Sequence, residues 1–152
     1  MQAHKLLLNA LLLALITFFC SPIMVTAKGD PNWDDVLKSG KQQLAIGETQ
    51  KAIETFEKNV KKYPRSAACH TALGRAFKRS GKLSEAKAEF KCACDLESNY
   101  ADAFYELGAI AESDKEWDQA AQAFTHYLQI NPDSAQRKTI EDRIKYCQGQ
   151  KE

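Results

Sequence analysis

The amino-acid sequence predicts an all-α fold in which three helix–turn–helix repeats of equal length stack in chain order and a C-terminal capping helix closes the stack. Three observations predict it. Gly40, Gly74 and Gly108 recur every 34 residues, and so do Ala52, Ala86 and Ala120, and Phe56, Phe90 and Phe124; a fixed period of this length marks stacked repeats. Each period divides into two stretches of helical periodicity, Ala67 to Arg79 and Leu83 to Leu96 in the second unit, separated by the polar turn Ser80-Gly81-Lys82. Proline follows the second helix in two units, at Pro64 and Pro132. A glycine on one helix and an alanine on the next let two backbones approach closely, and the phenylalanine fills the space beside them.

Composition bounds the rest. The chain has 152 residues, 27% charged and 44% hydrophobic, enough for one soluble domain with a modest core. Disorder and collagen are excluded. Of the 21 Lys and Arg only Lys5 precedes residue 28, and no acid does, so the remainder carries 20 basic against 20 acidic side chains. A neutral domain has no global field with which to recruit nucleic acid or an anionic membrane.

The elements follow in order. Residues 1–27 read as a signal peptide: His4 and Lys5 give a positive start, Leu6 to Phe19 is apolar apart from Asn9 and Thr17, and Val25-Thr26-Ala27 offers a cleavage site before Lys28. Residues 6–25 are also just long enough for an uncleaved membrane anchor. Lipidation at Cys20 is opposed by Phe18 and Phe19, where small residues are needed. Either way the domain is expected outside the cytosol, periplasmic or secreted, or held at the membrane by the leader. Residues 28–32 form a short linker, followed by repeats at 33–66, 67–100 and 101–134. The capping helix is expected over 135–148, with Ser134 as its N-cap and Ile140, Ile144 and Cys147 on one face. A terminal helix of this kind covers the apolar face of the last repeat. Residues 149–152 are expected to fray.

At this point the chain resembles the tetratricopeptide repeat family, whose pattern combines a Leu-Gly pair, aromatics, alanines and a proline. The second unit carries the resemblance through Leu73, Gly74, Phe77, Gly81, Ala86, Phe90 and Ala93, and the third through Phe104, Leu107, Gly108, Ala120, Phe124 and Pro132. The first keeps Gly40, Gly47, Ala52, Phe56 and Pro64 but has Ser39 for leucine and Gln43 for the aromatic. Elsewhere Ser98 replaces proline, Ala111 the aromatic and Lys115 the turn glycine. The resemblance covers residues 33 to 132. It implies a right-handed α-solenoid whose first helices line a concave groove for an extended peptide or partner helix.

The same resemblance implies which residues face that groove. Lys41, Arg75 and Ala109 each follow a ladder glycine, and Arg143 occupies the corresponding place in the cap. Lys78 adds charge beside Arg75, Tyr105 offers a rigid contact, and Glu106 and Glu112 make the third unit acidic. Lys41, Arg75, Lys78, Tyr105 and Arg143 are therefore the expected partner-binding residues, a row of cations for an acidic segment with an apolar anchor on Tyr105. Family members that clamp a terminal carboxylate use lysines, asparagines and an arginine at places that here hold Leu37, Lys41, Ala72, Asp102 and Glu106. Only Lys41 fits, so an internal segment or a folded partner is expected instead. The function read from the sequence is an exported interaction scaffold; the alternative is a structural accessory subunit of an envelope or secretion complex that docks through its outer helices.

Other classes find little support in the residues. Outside the leader the histidines are His70 and His126, and neither has a nucleophile and carboxylate spaced to suggest a triad. No catalytic residue, cofactor, metal or specific small-molecule ligand is expected. Cys69-His70 lacks a cysteine three residues earlier for haem attachment, and Cys92 and Cys94, about 200° apart on a helix, cannot aim at one zinc ion. A disulfide between Cys69 and Cys94 is expected, since both fall at one end of the hairpin on inward faces, with Cys92 pointing away and Cys92 and Cys147 left unpaired.

Overall fold

The structure is a computed structural model and describes residues 31–150. The expected signal peptide, its cleavage site, the anchor alternative and the last two residues lie outside the described residues. Within them the chain forms seven α-helices and no strand: α1 (Pro31–Ala45), α2 (Thr49–Lys62), α3 (Ala67–Arg79), α4 (Leu83–Leu96), α5 (Ala101–Ser113), α6 (Trp117–Ile130) and α7 (Arg137–Gly149). Consecutive helices pack on one another along the whole stack, and α3 also touches α5. α1 begins at Pro31, inside the stretch expected as linker, and its proline suits the first helical position because that N–H has no intrahelical partner. Among the described residues no helix is long and apolar enough to cross a membrane.

The ladder is the packing core. Phe56, Phe90 and Phe124 and Ala52, Ala86 and Ala120 are almost wholly buried. A Cβ on Gly74 would lie 2.7 Å from the Phe90 ring, and one on Gly108 2.6 Å from the Phe124 ring. Gly40 meets Phe56 in the same way. Each first helix thus presents a gap into which the phenylalanine of its partner helix is pressed, and a side chain there would overpack the crossing.

The ends of the helices are set locally. Ser66 caps α3 by accepting the N–H of Cys69 at 3.3 Å. In the turns inside the three hairpins, Gly47, Gly81 and Lys115 adopt φ of 83°, 79° and 59°, the left-handed conformation that closes a helix C-terminus. The cap differs from expectation at its start. Gln136 is the residue before α7, and Ser134 instead takes the Gln136 N–H at 3.2 Å while its hydroxyl pairs with Tyr127 at 2.9 Å, tying the loop to α6. Ile140 and Cys147 are buried against the Phe124 and Tyr127 cluster, with Ile144 packed beside them, so α7 covers the last repeat as a cap should.

Candidate functional site

The first helices carry the candidate surface, and the structure places its cations in contacts that reach from one repeat to the next. Arg75 on α3 donates from Nε to Glu106 Oε1 at 2.8 Å and from Nη2 to Asp102 Oδ2 at 3.0 Å. Lys78, one turn on, donates to the other oxygen of Glu106 at 2.8 Å. Glu106 is buried between them, 8% exposed. Burial would raise its pKa, but the hydrogen bonds from Lys78 and Arg75 outweigh it and hold the carboxyl below its ordinary range. At the far end Arg143 on α7 donates from Nε to Glu112 Oε2 at 3.1 Å and from Nη2 to the same oxygen. Its guanidinium lies 4.2 Å from the Phe124 ring centre and 5.6 Å from that of Tyr105.

These contacts correct the expectation of an open basic row. Arg75, Lys78 and Arg143 do not wait for an acidic partner, because α5 supplies Asp102, Glu106 and Glu112 opposite them. Tyr105 is half-buried, its ring against Phe124 and Tyr127, and its hydroxyl accepts from Arg143 at 3.4 Å. Lys41 alone of the five expected residues is exposed and meets no acid among the described residues. The acids at 102 and 106 were visible in the sequence as obstacles to a carboxylate. The spacing of 31 residues between Arg75 and Glu106, close to one period, is the signal that pairs them.

A second polar cluster lies within repeat 2. His70, 7% exposed, sits with Nδ1 2.7 Å from Glu89 Oε2 and Nε2 3.0 Å from the Pro64 carbonyl oxygen. The Glu89 carboxylate raises the imidazole pKa against the opposing effect of burial, with the Pro64 carbonyl adding to it. Cys92 Sγ is 3.6 Å from Nε2. Cys92 therefore turns toward α3 rather than away from it, contrary to expectation. All four described thiols are free, so the expected bridge between Cys69 and Cys94 is not formed. The two thiols sit in different surroundings: Cys94 packs against Ala67, Ala93 and Ala103, where α3, α4 and the start of α5 meet, while Cys69 is buried beside the Ser66 cap. Burial, with Asp95 beside it, pushes the Cys94 thiol up to about 12. Burial first, then Glu89 and Asp95, raises Cys92 as well, so the thiol beside His70 rests protonated. Among the described residues no three His, Cys, Asp or Glu side chains converge as metal ligands.

Comparison with known proteins agrees with the fold. Two tetratricopeptide repeat models match the chain, one over residues 36–66 and one over 71–135. The crystal structure of MamA is 31% identical, with a TM-score of 0.69 over 80% of this chain and 70% of that one. The first tetratricopeptide domain of Spaghetti (RPAP3), bound to the HSP90 peptide SRMEEVD, has a TM-score of 0.67 at 18% identity, covering 75% of this chain and 88% of that one, a likeness of fold. Among curated proteins, the chloroplastic tetratricopeptide repeat domain-containing protein PYG7 of Arabidopsis thaliana is 32% identical over 87 residues. That match takes in 55% of this chain and 29% of PYG7, so the chain spans under a third of that relative's length.

Proposed function

The chain belongs to the tetratricopeptide repeat family, and on that premise we propose a non-enzymatic protein-interaction scaffold whose inner face, formed by α1, α3, α5 and α7, receives an extended internal segment of a partner protein. The observation that carries this reading is the charge balance of that face. The Arg75 and Lys78 side chains are 40% exposed, yet Asp102 and Glu106 answer their charges, as Glu112 answers Arg143. An acidic segment would have to displace resident carboxylates, one of them buried. What stays open is hydrogen-bonding capacity without net charge: the Arg75 guanidinium uses Nε and Nη2, leaving Nη1, and the Lys78 ammonium has two further donors. Main-chain carbonyls of an extended segment suit such donors. The RPAP3 domain with its HSP90 peptide supports a peptide-receiving role for this fold, while Leu37, Ala72, Asp102 and Glu106 argue against a free carboxylate end here.

Photocrosslinking residues at positions 41 and 78 on the inner face, and at position 51 on α2, test the reading in intact cells. Partner should attach from 41 and 78 and not from 51. The reverse pattern overturns it. The captured segment, synthesised with a free or an amidated C-terminus, should bind equally in both forms; dependence on the free carboxylate would replace an internal segment with a terminal one. We further propose that residues 1–27 export the chain, supported by their positive start and apolar run. Recovery outside the cytosol of a protein whose mass begins at Lys28 checks this, and a chain retained in the cytosol at full mass contradicts it.

A further inference from the structure

Residues 43, 77 and 111 hold one place in the three repeats, three residues after the ladder glycine, and they are Gln, Phe and Ala. Gln43 is tied to the hydroxyl of Thr55 at 3.0 Å. Phe77 packs against both the Ala52–Phe56 cluster on one side and the Ala86–Phe90 cluster on the other, filling the outer seam between α2 and α4. At Ala111 the side chain is too short to do the same, and a groove of about 320 Å³ opens on the outer face between α4 and α6 with α5 as its floor. Phe104, Leu107, Ala123 and the almost wholly buried Ala111 line it, together with Lys91 and His126. No carboxylate lines it. Lys87 at the same rim is engaged by Glu116, whereas Lys91 is exposed and meets no acid among the described residues. His126 stacks on Phe104 with ring centres 5.1 Å apart, which extends the flat apolar wall.

We propose that this groove is a second docking site, distinct from the inner face, which takes an aromatic side chain of a partner chain followed by an acidic residue. The ring occupies the space that Phe77 fills one repeat earlier, and the carboxylate meets Lys91. Both halves rest on complementarity: the seam is apolar where a ring is missing, and at its edge Lys91 is a cation that no carboxylate among the described residues answers. This goes beyond the inner-face reading and does not depend on it, since the two faces are probed separately.

The test is a nuclear magnetic resonance titration of the full chain with the blocked dipeptide acetyl-Phe-Glu-amide. Saturable shifts are expected at the methyls of Leu107, Ala111 and Ala123. Ala111→Phe supplies the missing ring from within and should abolish them. Lys91→Glu lies on the exposed rim, leaves folding intact, and should weaken binding about tenfold. Acetyl-Phe-Gln-amide should bind more weakly by a similar factor. If Ala111→Phe does not fold, the Lys91→Glu and Gln-dipeptide arms decide alone. Shifts confined to the inner face around Arg75 and Tyr105, no saturable shift anywhere, or equal binding by both dipeptides and by Lys91→Glu would each overturn the proposal.

Discussion

Where repeat 2 meets repeat 3, Arg75 and Lys78 reach across to Asp102 and Glu106, and Lys87 reaches Glu116 on the outer side. Where repeat 1 meets repeat 2, Lys41 stands at the place of Arg75, but Ala68 and Ala72 stand at the places of Asp102 and Glu106. Among the described residues no ion pair crosses this first junction. It is held by an apolar cluster in which Ala52, Ile53 and Phe56 of repeat 1 meet Ala72, Leu73 and Ala76 of repeat 2, with the His70 bond to the Pro64 carbonyl beside it. The glycine–phenylalanine ladder is common to all three repeats, so the ladder makes the hairpins while the charges distinguish the seams. In a stack where each repeat touches only its neighbours, the two seams should yield to different stresses.

The largest effect is expected from charge reversal on the inner face. Arg75→Glu removes two hydrogen bonds from the Asp102 and Glu106 carboxylates and sets a third carboxylate beside them. Because Glu106 is buried, it cannot turn to water for relief, and the cost should be about 2–3 kcal/mol. Lys41→Glu, at the matching place one repeat earlier, should change stability by no more than roughly 0.5 kcal/mol. Equal denaturation midpoints for the two variants would mean that the pairs at the second seam merely cover the surface.

A smaller effect separates the seams by pH. The Glu106 carboxyl is held below its ordinary range, so its contribution is present above pH 4.5 and is lost as pH falls through its folded pKa. His70 is raised above 6.5 by Glu89, so its contribution is present below pH 6.5 and is lost as pH rises through its folded pKa. Thermal melts across pH should therefore weaken on both sides. Glu106→Gln should flatten the acid limb and His70→Gln the alkaline limb, each by on the order of 1 kcal/mol, the scale of a charge-assisted hydrogen bond. If His70→Gln leaves the alkaline limb as steep as before, the imidazole does not carry its charge in the folded protein.

Much of the fold was legible because it is written as a period. The Gly, Ala and Phe ladder and the polar turns located α3 and α4 to the residue, and Ile140, Ile144 and Cys147 identified the covering face of α7. The charged surface was less legible. Periodicity says that Arg75 faces the inner side, but not that a carboxylate 31 residues on faces it in turn, and only the seam geometry turns a row of cations into a balanced network. The cysteines failed for a related reason. "Inward" on α4 covers more than one surrounding: Cys92 meets His70 of the hairpin partner, while Cys94 packs where Ala67 of that partner and Ala103 of the following repeat come together. The departure at Ala111 was plain in the sequence, yet its consequence, an open outer seam, needed Phe77 in place one repeat earlier to be seen.

The smallest expected effect concerns a third difference between repeats, the turn inside each hairpin. All three turns close alike: the N–H at the left-handed residue bonds three residues back, and the next N–H bonds five back, as in Gly81 to Lys78 at 3.1 Å and Lys82 to Phe77 at 3.0 Å. The third turn repeats this with Lys115 to Glu112 at 3.1 Å and Glu116 to Ala111 at 2.8 Å, but with a Cβ at φ 59°. A side chain in that conformation costs about 1–2 kcal/mol, and glycine returns part of the gain through its freer unfolded chain. Lys115→Gly should thus stabilise the protein by roughly 0.5–1 kcal/mol, read as a higher urea midpoint at unchanged slope. Gly81→Ala imposes the same strain on the second turn and should shift the midpoint the other way. A lower midpoint for Lys115→Gly would mean that the lysine side chain holds the turn by contacts worth more than the strain it carries.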